Sequence, residues 1–145
     1  MKILGIGVDI IKNQRVSKSI KNKNFLHRIY NKEEIFYFKK EKKRKNFYAK
    51  RFAAKESFSK ALGTGIRGKL SFKDIIILND KFGKPFYKKT KKIDELINKK
   101  FKVNNYNLFL SISDERDYSI AFTILQKIWW KIKILFLKIL KHYFM

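Results

Sequence analysis

A chain of 145 residues fits one domain, large enough to bury a core yet small enough that a deep active site would draw on a neighbouring subunit. The absence of cysteine excludes disulfides, thiolate metal sites and a cysteine nucleophile, so any metal must sit on oxygen or imidazole. The formal charge of +24 suggests nucleic acid or an anionic surface, but all but six of the 36 basic residues are lysine on an Asn-, Ile- and Phe-rich background, as AT-rich coding alone would produce.

Residues 2–8 alternate weakly around Gly5 and Gly7 and run into an acid, which reads as a short buried strand with Asp9 at its end. The opening residues lack the long apolar core and small-residue cleavage site of a secretory signal, so a cytoplasmic protein is expected. Val16, Ile20, Phe25, Leu26 and Ile29 suggest two short helices broken near residues 21–24. Asn31 with Glu34 three positions on resembles a capping box, opening a third helix through about Glu41. Residues 39–45, six of seven basic, read as a solvated loop. Ala54, Phe58, Ala61 and Leu62 recur at helical spacing, predicting a long helix over about residues 46–62 with Gly63 as its left-handed terminator. Residues 71–78 read as a strand from their isoleucine run, 79–85 as a turn into another short strand, and 91–101 as a polar helix. Residues 106–113 and 118–126 alternate as a strand pair across the charged turn 114–117. The expected fold is an α+β domain over residues 1–126, a mainly antiparallel sheet packed against the long central helix. Residues 127–145 form a separate basic-apolar extension, too charged to span a bilayer and too apolar for a free tail. It is expected to lie on a membrane or a partner subunit, or to cover exposed core.

One window carries chemistry. Four of the five alanines, Ala49, Ala53, Ala54 and Ala61, fall in the predicted long helix, which points to close helix packing. On that helix Phe52, Glu56, Ser59, Lys60 and Gly63 share a face. Alone, Glu56 and Lys60 would be an ordinary helical ion pair. Together with Asp9 from a glycine-flanked strand, Glu56 supplies the all-oxygen ligand set that Mg²⁺ prefers, with phosphate oxygens and water completing the shell. Lys60, Arg51 and the Gly63-Thr64-Gly65 turn offer positive charge and close backbone approach for phosphates. No Walker loop or dinucleotide fingerprint occurs.

These residues resemble the small trimeric class of 4′-phosphopantetheinyl transferases, the holo-acyl-carrier-protein synthases. Gly5-Ile6-Gly7-Val8-Asp9-Ile10 is similar to the family's opening strand. The segments Arg51-Phe52-Ala53-Ala54-Lys55-Glu56 and Lys60-Ala61-Leu62-Gly63-Thr64-Gly65-Ile66 resemble its central signature. Gly83-Lys84-Pro85 and Ser111-Ile112-Ser113-Asp114-Glu115-Arg116 complete the order. The resemblance implies transfer of the phosphopantetheine arm of coenzyme A to a serine of apo acyl carrier protein, releasing adenosine 3′,5′-bisphosphate and supporting fatty acid biosynthesis. It implies a homotrimer with active sites between subunits. By the same resemblance Asp9 and Glu56 hold Mg²⁺ and Lys60 meets the diphosphate. Arg51 and Lys42 meet the 3′-phosphate, and Gly63, Thr64, Gly65 and Pro85 the nucleotide. The base that deprotonates the serine stays open among Asp114, Glu34 and metal-bound water. Arg15, Lys18 and Arg28, with Phe25 as an apolar anchor, are candidate docking residues for the acidic carrier. Two positions depart from the family: Phe109 stands where many relatives carry a phosphate-contacting histidine, and Asp114 where they often carry histidine. The rival expectation is a basic nucleic-acid-binding or membrane-surface module without catalysis.

Overall fold

The computed structural model describes residues 2–40 and 46–128. The chain runs through strand β1 (Lys2–Lys12), helices α1 (Asn13–Ser19), α2 (Lys23–Ile29), α3 (Lys32–Lys40) and α4 (Phe47–Leu62), then a short hairpin of β2 (Ile77–Asn79) and β3 (Pro85–Tyr87). Helix α5 (Lys91–Phe101) and the long hairpin β4 (Tyr106–Asp114) and β5 (Tyr118–Lys127) follow. The main sheet has the antiparallel order β1-β5-β4, so the first strand adds to the edge of the last hairpin. Family-level expectation and fold agree: α+β, with an antiparallel sheet packed against α4.

Local chemistry sets the boundaries. Asn22 caps α2 by accepting from the Asn24 and Phe25 amides, and Thr90 caps α5 by accepting from Ile93. The box at α3 forms: Glu34 Oε2 accepts from the Asn31 amide at 2.9 Å, and Asn31 Oδ1 accepts from Glu33. Helix α4 ends where Gly63 turns left-handed with φ 68°.

Two expectations need correction. Asp9 is not at a strand end, because β1 continues to Lys12 with Asp9 opposite Ala121 of β5. A carboxylate is tolerated within the strand because it faces α4, where Lys60 neutralises it. Residues 71–78 are not one strand either. Asp74 Oδ2 accepts from both the amide and the hydroxyl of Ser71, closing a 3₁₀ turn over Phe72–Asp74. The isoleucine run then serves burial more than pairing: Ile75 and Ile76 are buried, and β2 pairs only from Ile77.

Helix α4 lies on β1 almost backbone to backbone. A Cβ on Gly5 would sit 1.8 Å from the Ala61 carbonyl oxygen, and one on Gly7 would sit 1.9 Å from that of Ser57. The glycines are therefore required by the approach, and Ala53 and Ala54 of the helix are fully buried. The inner sheet face, with Ser119, Ala121, Thr123 and Leu125 of β5, is covered. The outer face carries Ile6, Val8 and Ile10 of β1, Tyr118, Ile120 and Phe122 of β5 and Phe109 of β4, all exposed, Ile10 to 61%. Below the helix, Lys55 and Glu34 form a fully buried ion pair of 2.7 Å. Lys55 also donates to the Phe72 and Ile75 carbonyls and Glu34 accepts from the Ile77 amide, so the pair ties α3, α4 and the approach to β2 together. Of the 127–145 extension, Lys127 ends β5 and the Ile128 amide donates to Asn105, while 129–145 lie outside the described residues.

Candidate active site

Asp9 on the inner face of β1 and Glu56 on α4 come together because the two glycines bring their elements into contact. Lys60, one turn after Glu56, does not pair with it in the ordinary i, i+4 manner. Its Nζ reaches across to Asp9 Oδ1 at 2.8 Å and to the Val8 carbonyl at 2.9 Å. Among the described residues no hydrogen bond or ion pair engages the Glu56 carboxylate. Its pKa is raised, first by burial and then by the Asp9 charge, against the lowering influence of Lys60. Two carboxylates that repel each other, one held by a lysine and one open, form a site with a deficit of positive charge.

A second group gathers elsewhere. Arg51, Lys50, Asn79, Gly83, Pro85, Ile112 and Asp114 line a cavity of about 160 Å³. The Arg51 guanidinium lies 3.5 Å from the Phe47 ring centre, and its Nη2 donates to Asn79 Oδ1 at 2.6 Å; Asn79 Nδ2 in turn donates to the Gly83 carbonyl. Asp114 accepts from Lys50 and Asn46, each at 3.1 Å. In sheet register Asp9 faces Ala121, which faces Ile112, so Asp114 stands two strands across and two residues along. That puts its Cα roughly 12 Å from that of Asp9. Asp114, named from the resemblance as a candidate catalytic base beside Asp9, Glu56 and Lys60, lies with Arg51 and Pro85 in this subunit. Glu34, the other carboxylate weighed as a base, is fully buried with both oxygens engaged and reaches neither group.

The Gly63-Thr64-Gly65 turn sits at the carboxyl end of α4, where carbonyls rather than amides are left over. Lys100 of α5 answers one by donating to the Gly63 carbonyl at 3.0 Å, Arg67 donates to the Thr64 carbonyl, and the Thr64 hydroxyl donates to Gly65. Positive charge there comes from side chains, not from a helix amino end. Arg15, Lys18 and Arg28 are exposed on α1 and α2, with Arg28 above the half-buried Phe25 ring. Phe109 lies in register with Ile124 and, across it, Ile6, so it extends the apolar outer face away from the acid pair. Lys42 lies outside the described residues. The sequence reading passed over Asn79, Lys100 and the buried hydroxyls of Ser57, Tyr87 and Thr123. Only their distribution in space distinguishes them from turn, surface and core residues.

Residues 5–123 match the family described as ACPS, the 4′-phosphopantetheinyl transferase superfamily. The holo-acyl-carrier-protein synthase of Pelagibacter ubique is 58% identical over 127 residues, covering 88% of this chain and 99% of the relative. The crystal structure of the synthase from Neisseria meningitidis superposes with a TM-score of 0.77 at 39% identity, covering 87% of this chain and 100% of that one. A Helicobacter pylori synthase crystallised in complex with coenzyme A superposes with a TM-score of 0.70 at 32% identity, over 83% and 99% of the two chains. These relatives are enzymes, which sets aside a basic binding module without catalysis. Among the described residues, moreover, no helix is long and apolar enough to cross a membrane. The glycine track under an alanine-rich helix, the site it creates and the end-to-end match to the relatives agree: the chain belongs to the holo-acyl-carrier-protein synthases of the 4′-phosphopantetheinyl transferase superfamily.

Proposed function

We propose that Asp9 and Glu56 form the cation site at which this enzyme grips the diphosphate of coenzyme A. The reaction transfers the 4′-phosphopantetheine arm of coenzyme A to a serine of apo acyl carrier protein and releases adenosine 3′,5′-bisphosphate, for fatty acid biosynthesis. The observation that carries the site is the open, pKa-raised Glu56 carboxylate beside an Asp9 already bridged to Lys60. Among the described residues there is no cluster of three or more His, Asp or Glu to complete a shell, which suits Mg²⁺ with substrate oxygens and water as its other ligands. When bound, Mg²⁺ would withdraw charge from the diphosphate and neutralise the leaving group. Lys60, half-exposed, is free to turn from Asp9 toward a diphosphate oxygen once a cation takes over the carboxylate. Arg51 and Lys50, with Pro85 as an apolar wall, suit the 3′-phosphate and adenine of the nucleotide. Arg15, Lys18 and Arg28 offer an acidic carrier its docking charges.

We further read the enzyme as a homotrimer with shared sites. The acid pair lies near one edge of the sheet and the Arg51–Asp114 cavity near the other. A cyclic head-to-tail assembly puts unlike patches of neighbouring copies together, and the exposed apolar outer face is what such an assembly would bury. The test is phosphopantetheine transfer to apo acyl carrier protein, followed by the mass increase of the carrier. Asp9→Asn and Glu56→Gln are each expected to lose transfer by 10³-fold or more, on the order of a residue essential to transition-state charge, with circular dichroism unchanged. Full activity in either would remove the acid pair from the reaction.

A further inference from the structure

The glycine track that brings α4 onto β1 has a mechanical cost. With no side chains on Gly5 and Gly7, nothing on that stretch of β1 interdigitates with the helix, so at this contact packing does not fix the helix along or around its axis. Directional contacts must. Beside the charged ties of Lys50, Arg51, Lys55 and Lys60, three uncharged hydroxyls meet at one rung of the sheet, where Gly7 of β1 faces Thr123 of β5. There the Thr123 hydroxyl meets Ser57 Oγ of α4 at 2.6 Å and Tyr87 OH of β3 at 2.6 Å, while Tyr87 OH donates to the Ala54 carbonyl of α4 at 2.7 Å. Ser57 Oγ also lies 3.3 Å from Tyr87 OH and 3.0 Å from the Ala54 carbonyl. Three buried hydroxyls hold three protons, and each finds an acceptor within the group: Tyr87 donates to the Ala54 carbonyl, Ser57 can donate to that carbonyl or to Thr123, and Thr123 to Tyr87 or Ser57. A buried group of this kind is satisfied while α4, β3 and β5 keep their spacing, and pulling them apart leaves hydroxyls unpaired at a cost. Ser57 is the neighbour of Glu56 in sequence, and Gly7 is two residues from Asp9 on the same face of β1.

We propose that the Ser57–Tyr87–Thr123 hydroxyl cluster is a positioning device for the acid pair, locking α4 on its glycine track so that Glu56 is presented to Asp9. These are positioning residues: none of them touches the reacting atoms. The inference rests on the reading of Asp9 and Glu56 as the cation site.

The test is Mn²⁺ binding in the presence of saturating coenzyme A, read by the free-Mn²⁺ paramagnetic resonance signal, for the wild type, Asp9→Asn, Thr123→Val, Thr123→Ser and Tyr87→Phe. Thr123→Val keeps the volume and deletes the hydroxyl, and is expected to weaken Mn²⁺ by about 10-fold, the range found when a group orienting a metal ligand is lost. The Mg²⁺ concentration for half-maximal transfer should rise by the same factor. Thr123→Ser, which keeps the hydroxyl, should bind as the wild type does, even though it loses a buried methyl and melts lower. Tyr87→Phe should follow Thr123→Val, so that misfolding of one variant leaves the other to decide. If Thr123→Val and Tyr87→Phe melt lower but bind Mn²⁺ normally, the hydroxyls only stabilise the core and the inference is overturned. If Asp9→Asn also binds normally, it is the acid-pair reading that fails.

Discussion

Glu56 works against the fold that holds it. Burial first, then the Asp9 charge, raise its pKa above that of an exposed carboxyl, with Lys60 opposing. Folding therefore favours the protonated group: its contribution to stability is complete below the unfolded-state value and is lost as pH rises through the raised one. Near neutral pH the ionised Glu56 destabilises the apo enzyme, so Glu56→Gln is expected to melt no lower than the wild type, and higher if relaxation is small. That advantage should close as pH falls through the raised value. Thermal melts from pH 4 to 8 check the sign, and a variant that melts well below wild type at pH 7 would contradict it. Glu34 is instead bound into the core, its oxygens serving Lys55, Asn31 and Ile77. Glu34→Ala strands a buried ammonium and is expected to cost about 3–5 kcal/mol in urea unfolding, a loss of stability before it is a loss of chemistry.

The contact of α4 with β1 explains why the amino-terminal strand carries two glycines in alternate positions. Gly7→Ala would put a methyl 1.9 Å from the Ser57 carbonyl oxygen, a backbone atom that cannot turn aside. The helix must lift, and the expected destabilisation is about 3 kcal/mol, at the upper end for overpacking, accompanied by a higher Mg²⁺ concentration for half-maximal transfer. Calorimetry together with Mg²⁺ titration checks both halves. This contact also marks how far the sequence was legible. Four of five alanines in one window and a Gly-x-Gly strand were enough to anticipate a tightly packed helix and an acid delivered beside it, because small residues in a Lys- and Ile-rich chain have few other reasons to cluster. Spacing along the chain was mute on tertiary direction. Helical periodicity set Lys60 on the face of Glu56 but could not show that the closeness of β1 gives Lys60 to Asp9. Spacing read residues 71–78 as one ladder, whereas Ser71 and Asp74 close Phe72–Asp74 into a 3₁₀ turn and pairing starts only at Ile77. It left Asp114 among the candidates for the base, without showing that β5 lies between it and the acid pair.

For the whole molecule, the outer sheet face is the feature that a single subunit leaves unexplained. Val8 faces Phe122, and Ile10 faces Ile120, giving apolar rows on water where the inner face of the same strands is buried. Val8→Lys with Phe122→Lys is expected to leave the monomer fold intact by circular dichroism, convert the assembly to monomer by light scattering, and reduce transfer at least 10²-fold if neighbours complete each site. Phe109 belongs to this face, so its replacement by histidine should alter assembly and nucleotide binding rather than the cation site. The most direct test of the shared site is complementation. Asp9→Asn and Arg51→Gln homomers, each inactive, are mixed in equal amounts, unfolded and refolded together, and assayed for transfer. If the acid pair of one copy works with the Arg51 cavity of the next, random mixing restores about a quarter of wild-type activity, since each site needs one intact partner from each side. Mixed assemblies, verified by native mass spectrometry, that stay inactive would contradict the account.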